Sequence, residues 1–463
     1  MRLTFSKNGW WQEDCVGVPQ TLILLAHVFI RQNVHLKAHL QKKALMLYQD
    51  GYLYELTQIK DKDAIFKAIC QKGSSFLSQQ ISRWKRSLKR LDYYKGEAAK
   101  GNIGIYEDFY EYAISLWSFP ILCESGDYFS TNDLVPLIQK RLDMAEKPAR
   151  EIAILMSRSP KLSFLNKEKM SLISVALGKK SAKEHSKEYF WMGNTYRDHF
   201  LCNEGYFLQQ ARELKKKYSM SALHKKMNEI CGYEEQILGA KAKLNKEYTF
   251  DPELKLIFRI FEKFSWWVDQ RKVMMLKIFD ILFSLTDQLD KKNNWPDVAK
   301  YLTPEEMKKA IAGSQIHIPK TRKQNFAYLL DYRGKHMIYE GEPARRLLMS
   351  YQKSAARSEI KGMVASGKGR IHGKACIILD AKKDIFIPGS IMITSMTRPD
   401  FVHLMRQAKA IITDEGGLTC HAAIVARELG IPCIIGTRNA SKALRNGQKI
   451  VLDLDTGRVC NDQ

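Results

Sequence analysis

The sequence predicts a multidomain protein: a mainly α-helical N-terminal region followed by a C-terminal α/β domain. Three observations carry that expectation. Between residues 76 and 345 glycine and proline are sparse, and apolar residues recur at steps of three and four, the spacing of one helix face. Beyond residue 360 glycines become frequent and short β-branched runs alternate with helical stretches. The 463 residues, 45% hydrophobic and 27% charged, have globular composition and length for roughly two to four domains. A disordered, collagen-like or low-complexity chain is excluded.

Residues 1–75 read as a mixed α/β segment. Leu45, Leu47, Tyr52, Tyr54 and Leu56 alternate around Asp50-Gly51, the strongest short-range hairpin signal. The stretch around Trp10-Trp11 gives no clear element. In the helical region, 76–345, the clearest stripe is Ile257, Phe261, Phe264, Val268, Arg271, Met275, Ile278, Leu282, Leu285 and Leu289. Its steps alternate four and three, and Arg271 is its one polar member. Asn293-Asn294-Trp295-Pro296 ends that helix. Thr303-Pro304-Glu305-Glu306 starts another, with a capping threonine, proline in the first turn and two acids. Residues 346–360 read as a helical or hinge linker. Residues 361–463 hold the β-branched runs 375–379, 390–394, 410–413, 432–435 and 449–452.

Lys and Arg number 74 against 50 Asp and Glu, a net charge of +24. Such a surface attracts nucleic acid, a membrane surface or phosphorylated ligands. The densest run, Arg83 to Arg90, spreads around a helix, and no recognised nucleic-acid motif accompanies it. A solvated helix face is therefore the favoured reading, and nucleic acid is an unlikely partner. Nine cysteines are scattered without a CxxC pair, which argues against a zinc ribbon and for a reducing compartment. The apolar stretch from Val16 to Ile30 is broken by Gln20 and His27, and a bilayer needs about 20 apolar residues. The expectation is a cytoplasmic protein with no membrane span.

The chemistry concentrates in residues 414–432. A strand ending at Thr413 runs into a glycine turn, and a helix begins near His421 and stops at Gly430, before Pro432. His421 thus sits at a helix N-terminus, where free N–H groups and the dipole favour an anion. A phosphate on the imidazole would be stabilised there. Ala422 and Ala423 leave room for two reactants, and Thr419 can hydrogen-bond the ring or the phosphate. On the residues alone, a histidine after Gly-Gly is either a cap or packing residue, the commoner case, or a nucleophile.

Gly416, Gly417, Thr419, His421, Ala422, Ala423, Ile424, Val425, Ala426 and Arg427 fill a complete pattern. This pattern resembles the phosphohistidine signature of the phosphoenolpyruvate (PEP)-utilising enzymes: PEP synthase, pyruvate phosphate dikinase and rifampicin phosphotransferase. The likeness extends to Ala365-Ser366-Gly367, Pro388-Gly389-Ser390-Ile391, Thr397-Arg398-Pro399-Asp400, Gly430-Ile431-Pro432 and Asp455-Thr456-Gly457. It implies that residues 361–463 form a ββα swivelling phosphohistidine domain. It further implies that His421 is the phosphocarrier, Thr419 its hydroxyl neighbour, and Gly416, Gly417 and Cys420 the phosphate loop. Arg427, off the face of His421, reads as structural, with Glu428, Asp414 or a partner domain as its counter-charge.

The pattern departs from the large dikinases. The helical region contains no Gly-rich phosphate loop ahead of a strand, and residues 430–463 are too few for a PEP barrel of about 250 residues. No cofactor bound by this chain is expected, and no metal. ATP and Mg²⁺ would act through a separate ATP-grasp nucleotide-binding protein. Asp297 to Glu306, with Tyr189-Phe190-Trp191 and Asn194-Thr195-Tyr196, resembles the acceptor-binding helical region of rifampicin phosphotransferase. Residues 76–345 are therefore expected to bind a small-molecule phosphoryl acceptor or a partner. Arg271 is either a buried ion pair or a pocket arginine. Trp191 and Trp267 are either core or walls of a flat acceptor pocket. The expected function is histidine-borne phosphotransfer of the PEP-synthase or rifampicin-phosphotransferase kind. A regulatory relative without catalysis and a basic nucleic-acid-binding protein are the alternatives.

Overall fold

The computed structural model describes residues 10–317, 320–355, 360–381, 383–397, 401–417 and 420–462. Two sheets flank a helical body and both reach one cavity. The first is antiparallel, with strands β1 (Trp10–Val16), β2 (Lys43–Gln49), β3 (Tyr52–Gln58), β4 (Asn325–Asp331) and β5 (His336–Glu340) in the order β1-β3-β2-β4-β5. β2 and β3 form the expected hairpin. Asp50 and Gly51 both have positive φ, 48° and 94°, as a two-residue turn of this hand requires.

The sheet corrects the reading of 76–345 as a helical unit. β4 and β5 lie inside it, and β4 pairs with β2 from Lys43↔Asp331 to Gln49↔Asn325. The core of β4 is a run of five buried residues, which periodicity alone cannot separate from a buried helix segment. The run is apolar on both faces because the sheet is covered on both. Ala44, Met46 and Tyr48 face the main core, while Leu45, Leu47 and Leu329 pack with Ala344 and Leu348. Those two belong to helix Glu342–Ala355, so much of the expected 346–360 linker is a helix whose start rests on the sheet. β1 likewise occupies the stretch around Trp10 where no element was legible.

Helix Ile59–Leu88 begins within the segment read as mixed and bends at Gly73, φ 74°. Its basic end is a solvated face: Arg83, Lys85, Arg86, Lys89 and Arg90 are exposed around the buried Trp84. Helix Pro252–Asn293 runs through the body for about 63 Å at 1.5 Å per residue. Asp251 caps its start, accepting from the Leu254 N–H at 2.8 Å, and Asn294 ends it at φ 54°. All ten stripe residues are buried, Arg271 included. Thr303 and Glu306 form the reciprocal cap of helix Pro304–Ile311. No helix among the described residues is long and apolar enough to cross a membrane.

The C-terminal sheet has strands β6 (Met363–Ser366), β7 (Arg370–Ile377), β8 (Ile391–Thr394), β9 (Ala410–Thr413), β10 (Cys433–Ile435), β11 (Lys449–Asp453) and β12 (Arg458–Asn461). Their order is β12-β11-β7-β8-β9-β10-β6, with β7 to β10 parallel. Helix His421–Leu429, here the His421 helix, connects β9 to β10. Gly430 ends it at φ 68°, left-handed as a C-terminal glycine cap requires.

Glu306 has a second duty. Together with Glu340 on β5 it binds Arg322, which is 5% exposed, at 2.5 Å each. Arg322→Leu would leave two half-buried carboxylates facing each other. We expect a loss of about 3 kcal/mol, at the low end for a broken buried pair. It would be read as a lower urea midpoint by circular dichroism, and an unchanged midpoint would contradict this role.

Candidate functional site

The His421 helix starts on a crevice beyond the carboxyl ends of parallel strands, where open α/β sheets commonly bind ligands. β8 leads to Thr397 and β9 leads through Asp414 to the glycine turn. Thr397 Oγ1 lies 2.9 Å from His421 Nδ1, and the Phe164 ring of the helical body lies nearly parallel to the imidazole, 6.2 Å away at 14°. His421 is 6% exposed. It occupies the first position of the helix, with the helix dipole behind it.

The glycine turn is shaped by two close approaches. Gly416 has φ 106°, and a Cβ there would meet Cys420 Sγ at 2.5 Å. A Cβ on Gly417 would meet Ser130 Oγ at 2.3 Å, in helix Ser125–Asn132 of the body. The second glycine therefore lets the C-terminal domain seat against the helices. Cys420 caps the His421 helix through Sγ, 3.4 Å from the Ala423 N–H. Burial pushes its thiol up to about 12, so it stays protonated and is no rival nucleophile. Thr419 lies outside the described residues.

Beneath His421 is a cavity of about 60 Å³, open in part to solvent. Leu22, Leu25, Met46, Leu53, Trp117 and Val268 give it an apolar side. Its charged side brings Glu55, Glu124, Asp127, Arg271 and Lys272 of the body to Glu415 of the C-terminal domain. Arg271 binds Glu124 directly, and Lys62 Nζ stands 3.9 Å from the other Glu124 oxygen. The two readings of Arg271 thus meet: it is a buried ion pair and it lines the cavity.

Trp191 and Trp267 do not line this cavity. Trp191 donates to the Glu188 carbonyl at 2.9 Å and packs edge-on against Phe164. Trp267 is fully buried beside Trp84. Arg427 bonds the Ala423 carbonyl of its own helix at 2.7 Å, and Asp414 instead holds Thr437 and Ser441. Sequence reasoning missed Glu124, Asp127, Lys272 and Phe164 as site residues. Nothing in their local pattern marks them, because the fold brings them from separate helices. Thr397 was legible only as part of the family likeness. Among the described residues no group of three or more His, Cys, Asp or Glu side chains is placed to hold a metal ion.

The fold and motif define the C-terminal unit as an α/β domain built around a helix-start histidine. A family described as "PEP-utilising enzyme, mobile domain" matches residues 386–457, the stretch that holds the glycine turn and His421. A probable phosphoenolpyruvate synthase of Archaeoglobus fulgidus is 36% identical over 160 residues, 34% of this chain and 20% of its own. The phosphoenolpyruvate synthase of Pyrococcus furiosus is 34% identical over 222 residues, 43% of this chain and 26% of its own. An uncharacterised phosphotransferase of Bacillus subtilis is 31% identical over 198 residues, 41% of this chain and 23% of its own. The chain thus spans only about a quarter or less of these relatives. A match over 43% of the chain is longer than residues 361–463, so part of the helical body aligns as well. Aconitase X of Thermococcus kodakaraensis aligns over 23% of this chain and 100% of its own at 20% identity, with a TM-score of 0.19 that carries no argument.

Removing Arg271 tests the charged wall. Arg271→Met leaves Glu124 buried without its direct guanidinium partner, with Lys62 Nζ 3.9 Å away. The expected loss is about 3 kcal/mol, the low end for breaking a buried pair because one cation remains. Urea unfolding reads it directly. A variant as stable as the parent would mean that Glu124 does not depend on Arg271.

Proposed function

We propose that this protein is a PEP-synthase-like phosphotransfer protein in which His421 carries the phosphoryl group. The observation that supports it most is the meeting of a complete carrier motif with a charged cavity of the helical body. The neutral imidazole is a good nucleophile near pH 7, and its N–P bond passes the group on readily. With Nδ1 bonded to Thr397, Nε2 is the nitrogen that takes the phosphoryl group. The helix dipole, Arg271 and Lys272 favour its negative charge.

Transfer to an acceptor oxygen then breaks the Nε2–P bond and forms an O–P bond. The imidazole leaves neutral, and a cavity carboxylate, for which Glu124, Asp127 and Glu415 are the candidates, takes the acceptor's proton: the O–H proton of a hydroxyl, or for pyruvate a methyl proton, whose loss forms the enolate oxygen that is phosphorylated. The acceptor is a small molecule held against the apolar side: pyruvate, an antibiotic hydroxyl or another metabolite of that size. In this reading the cavity is the delivery position. Loading requires the domain to swivel away, because His421 is buried here. ATP and Mg²⁺ act at a separate ATP-grasp chain, the donor partner that the family likeness implies.

The test is phosphate on the histidine itself. Protein isolated at alkaline pH from cells that express it natively should carry base-stable, acid-labile phosphate on the peptide containing His421. His421→Ala should fall to background. Equal phosphate on the variant, or none on the parent when the cells' own ATP-grasp proteins are added with β- or γ-labelled ATP, would overturn the reading.

A further inference from the structure

The long helix Pro252–Asn293 has a second cavity on its other side. Asp280 follows Arg271 by nine residues, which at 3.6 residues per turn places it about 180° around the helix. There helix Leu91–Ala99, the end of helix Ala182–Tyr189, residues 199–204 and residues 280–284 enclose a groove of about 550 Å³, open to solvent. It shares no lining residue with the cavity beneath His421, which holds only about 60 Å³. Small-molecule sites commonly measure about 300–1,000 Å³.

The walls of the groove are fixed by bonds within the protein. Asn194, fully buried, donates to the Leu276 carbonyl of the long helix at 3.1 Å and accepts from the Phe200 N–H at 2.8 Å. The Cys202 N–H donates to the Phe190 carbonyl at 2.9 Å and closes the loop between them. On another wall Gln288 donates to the Ala98 carbonyl at 2.6 Å. Ala98, Phe190, Leu201 and Ile281 give the groove an apolar lining. Leu201 is 53% exposed and the adjoining Phe200 50%, apolar surface that an apolar ligand would cover.

The charge of the lining is uneven. Lys95 Nζ lies 3.3 Å from the centre of the Phe190 ring, and Lys187 stands on the same lining. Among the described residues neither ammonium forms an ion pair. His199 is the third cation. Asp280 lies 3.5 Å from its Nδ1 and Asp287 3.0 Å from its Nε2, and the two carboxylates raise the imidazole to about 9. Asp280 is thereby answered within the protein, and the other acid of the lining, Glu204, is exposed. Two lysines without counter-ions beside an apolar wall favour a negative group on the molecule that binds there.

We propose that this groove is a binding site for a small organic anion with a flat apolar body, which lies against Phe190 and Leu201 with its acid group at Lys95 and Lys187. Lys95 exchanges its contact with the Phe190 face, worth about 0.5–1 kcal/mol at an exposed site, for a stronger charge-assisted bond to the anion. The freed ring face then takes the flat body of the ligand. A carboxylate and a phosphate ester offer the same chemistry to a lysine. The site lies apart from His421 and does not depend on phosphotransfer.

Isothermal titration calorimetry of the full chain with 2-naphthoate, 2-naphthyl phosphate and uncharged 2-naphthylmethanol reads the site. At least one of the two anions should bind about tenfold or more tightly than the alcohol, and the tighter anion identifies the acid group. Lys95→Met and Lys187→Met, both at exposed positions, should together remove that advantage and leave the alcohol's affinity unchanged. Ala99→Trp, which fills the groove from an exposed position, should abolish binding of all three. Anion binding that survives the double lysine variant would place it elsewhere, at the Arg271 cavity for example, and overturn the site. Failure of all three compounds to bind the parent at millimolar concentration would overturn it too. Neither result bears on phosphorylation of His421.

Discussion

A guanidinium in the middle of an otherwise apolar helix face needs a counter-charge, and much of this structure follows from how that need is met. Arg271 lies buried on the long central helix and is answered by Glu124, with Lys62 behind. An apolar contact could have filled the same volume at less desolvation cost. The pair instead leaves a charged wall in the body at the point where the His421 helix docks. The cavity therefore has an apolar side, chiefly from helix Pro19–Leu36 and the first sheet, and a charged side, chiefly from the long helix and its neighbours with Glu55 of β3.

The contact between the two domains has a matching character. Its centre is close-packed: Gly417 fits against Ser130 only because it lacks a Cβ, and Phe164 stacks on His421. Its edge is a set of separate polar links. Lys147 pairs with Asp455 at 3.2 Å, Arg197 with Asp380 at 3.4 Å, and Arg438 donates to Asn132 at 3.2 Å. The exposed Lys147–Asp455 pair contributes little, about 0–1 kcal/mol, and is screened by salt, whereas Asp380 is buried. Such a contact defines one docked geometry with few strong links across it.

The helix start at Ser163-Phe164 joins these features. There Asp269 accepts from the Phe164 N–H, and the Phe164 ring lies nearly parallel to the His421 imidazole. A shift there moves the ring that lies on His421. Cys420 shows the complementary economy, in that its sulfur caps the helix while its burial silences it as a nucleophile.

What local chemistry controls was legible in the sequence. The long helix, its buried stripe, both of its ends and the Thr303 cap follow from spacing and capping residues. So do the Asp50-Gly51 hairpin and the start and stop of the His421 helix. Each is set within a few residues by backbone geometry and side-chain periodicity. Only the tertiary structure decided that the apolar run of β4 is a strand, because its identity comes from pairing with β2, nearly 300 positions earlier. Only the tertiary structure joined Arg271 to Glu124 and set both beneath His421. Residues far apart in sequence meet through packing, and a lone glutamate or lysine on a helix carries no mark of the partner it will face.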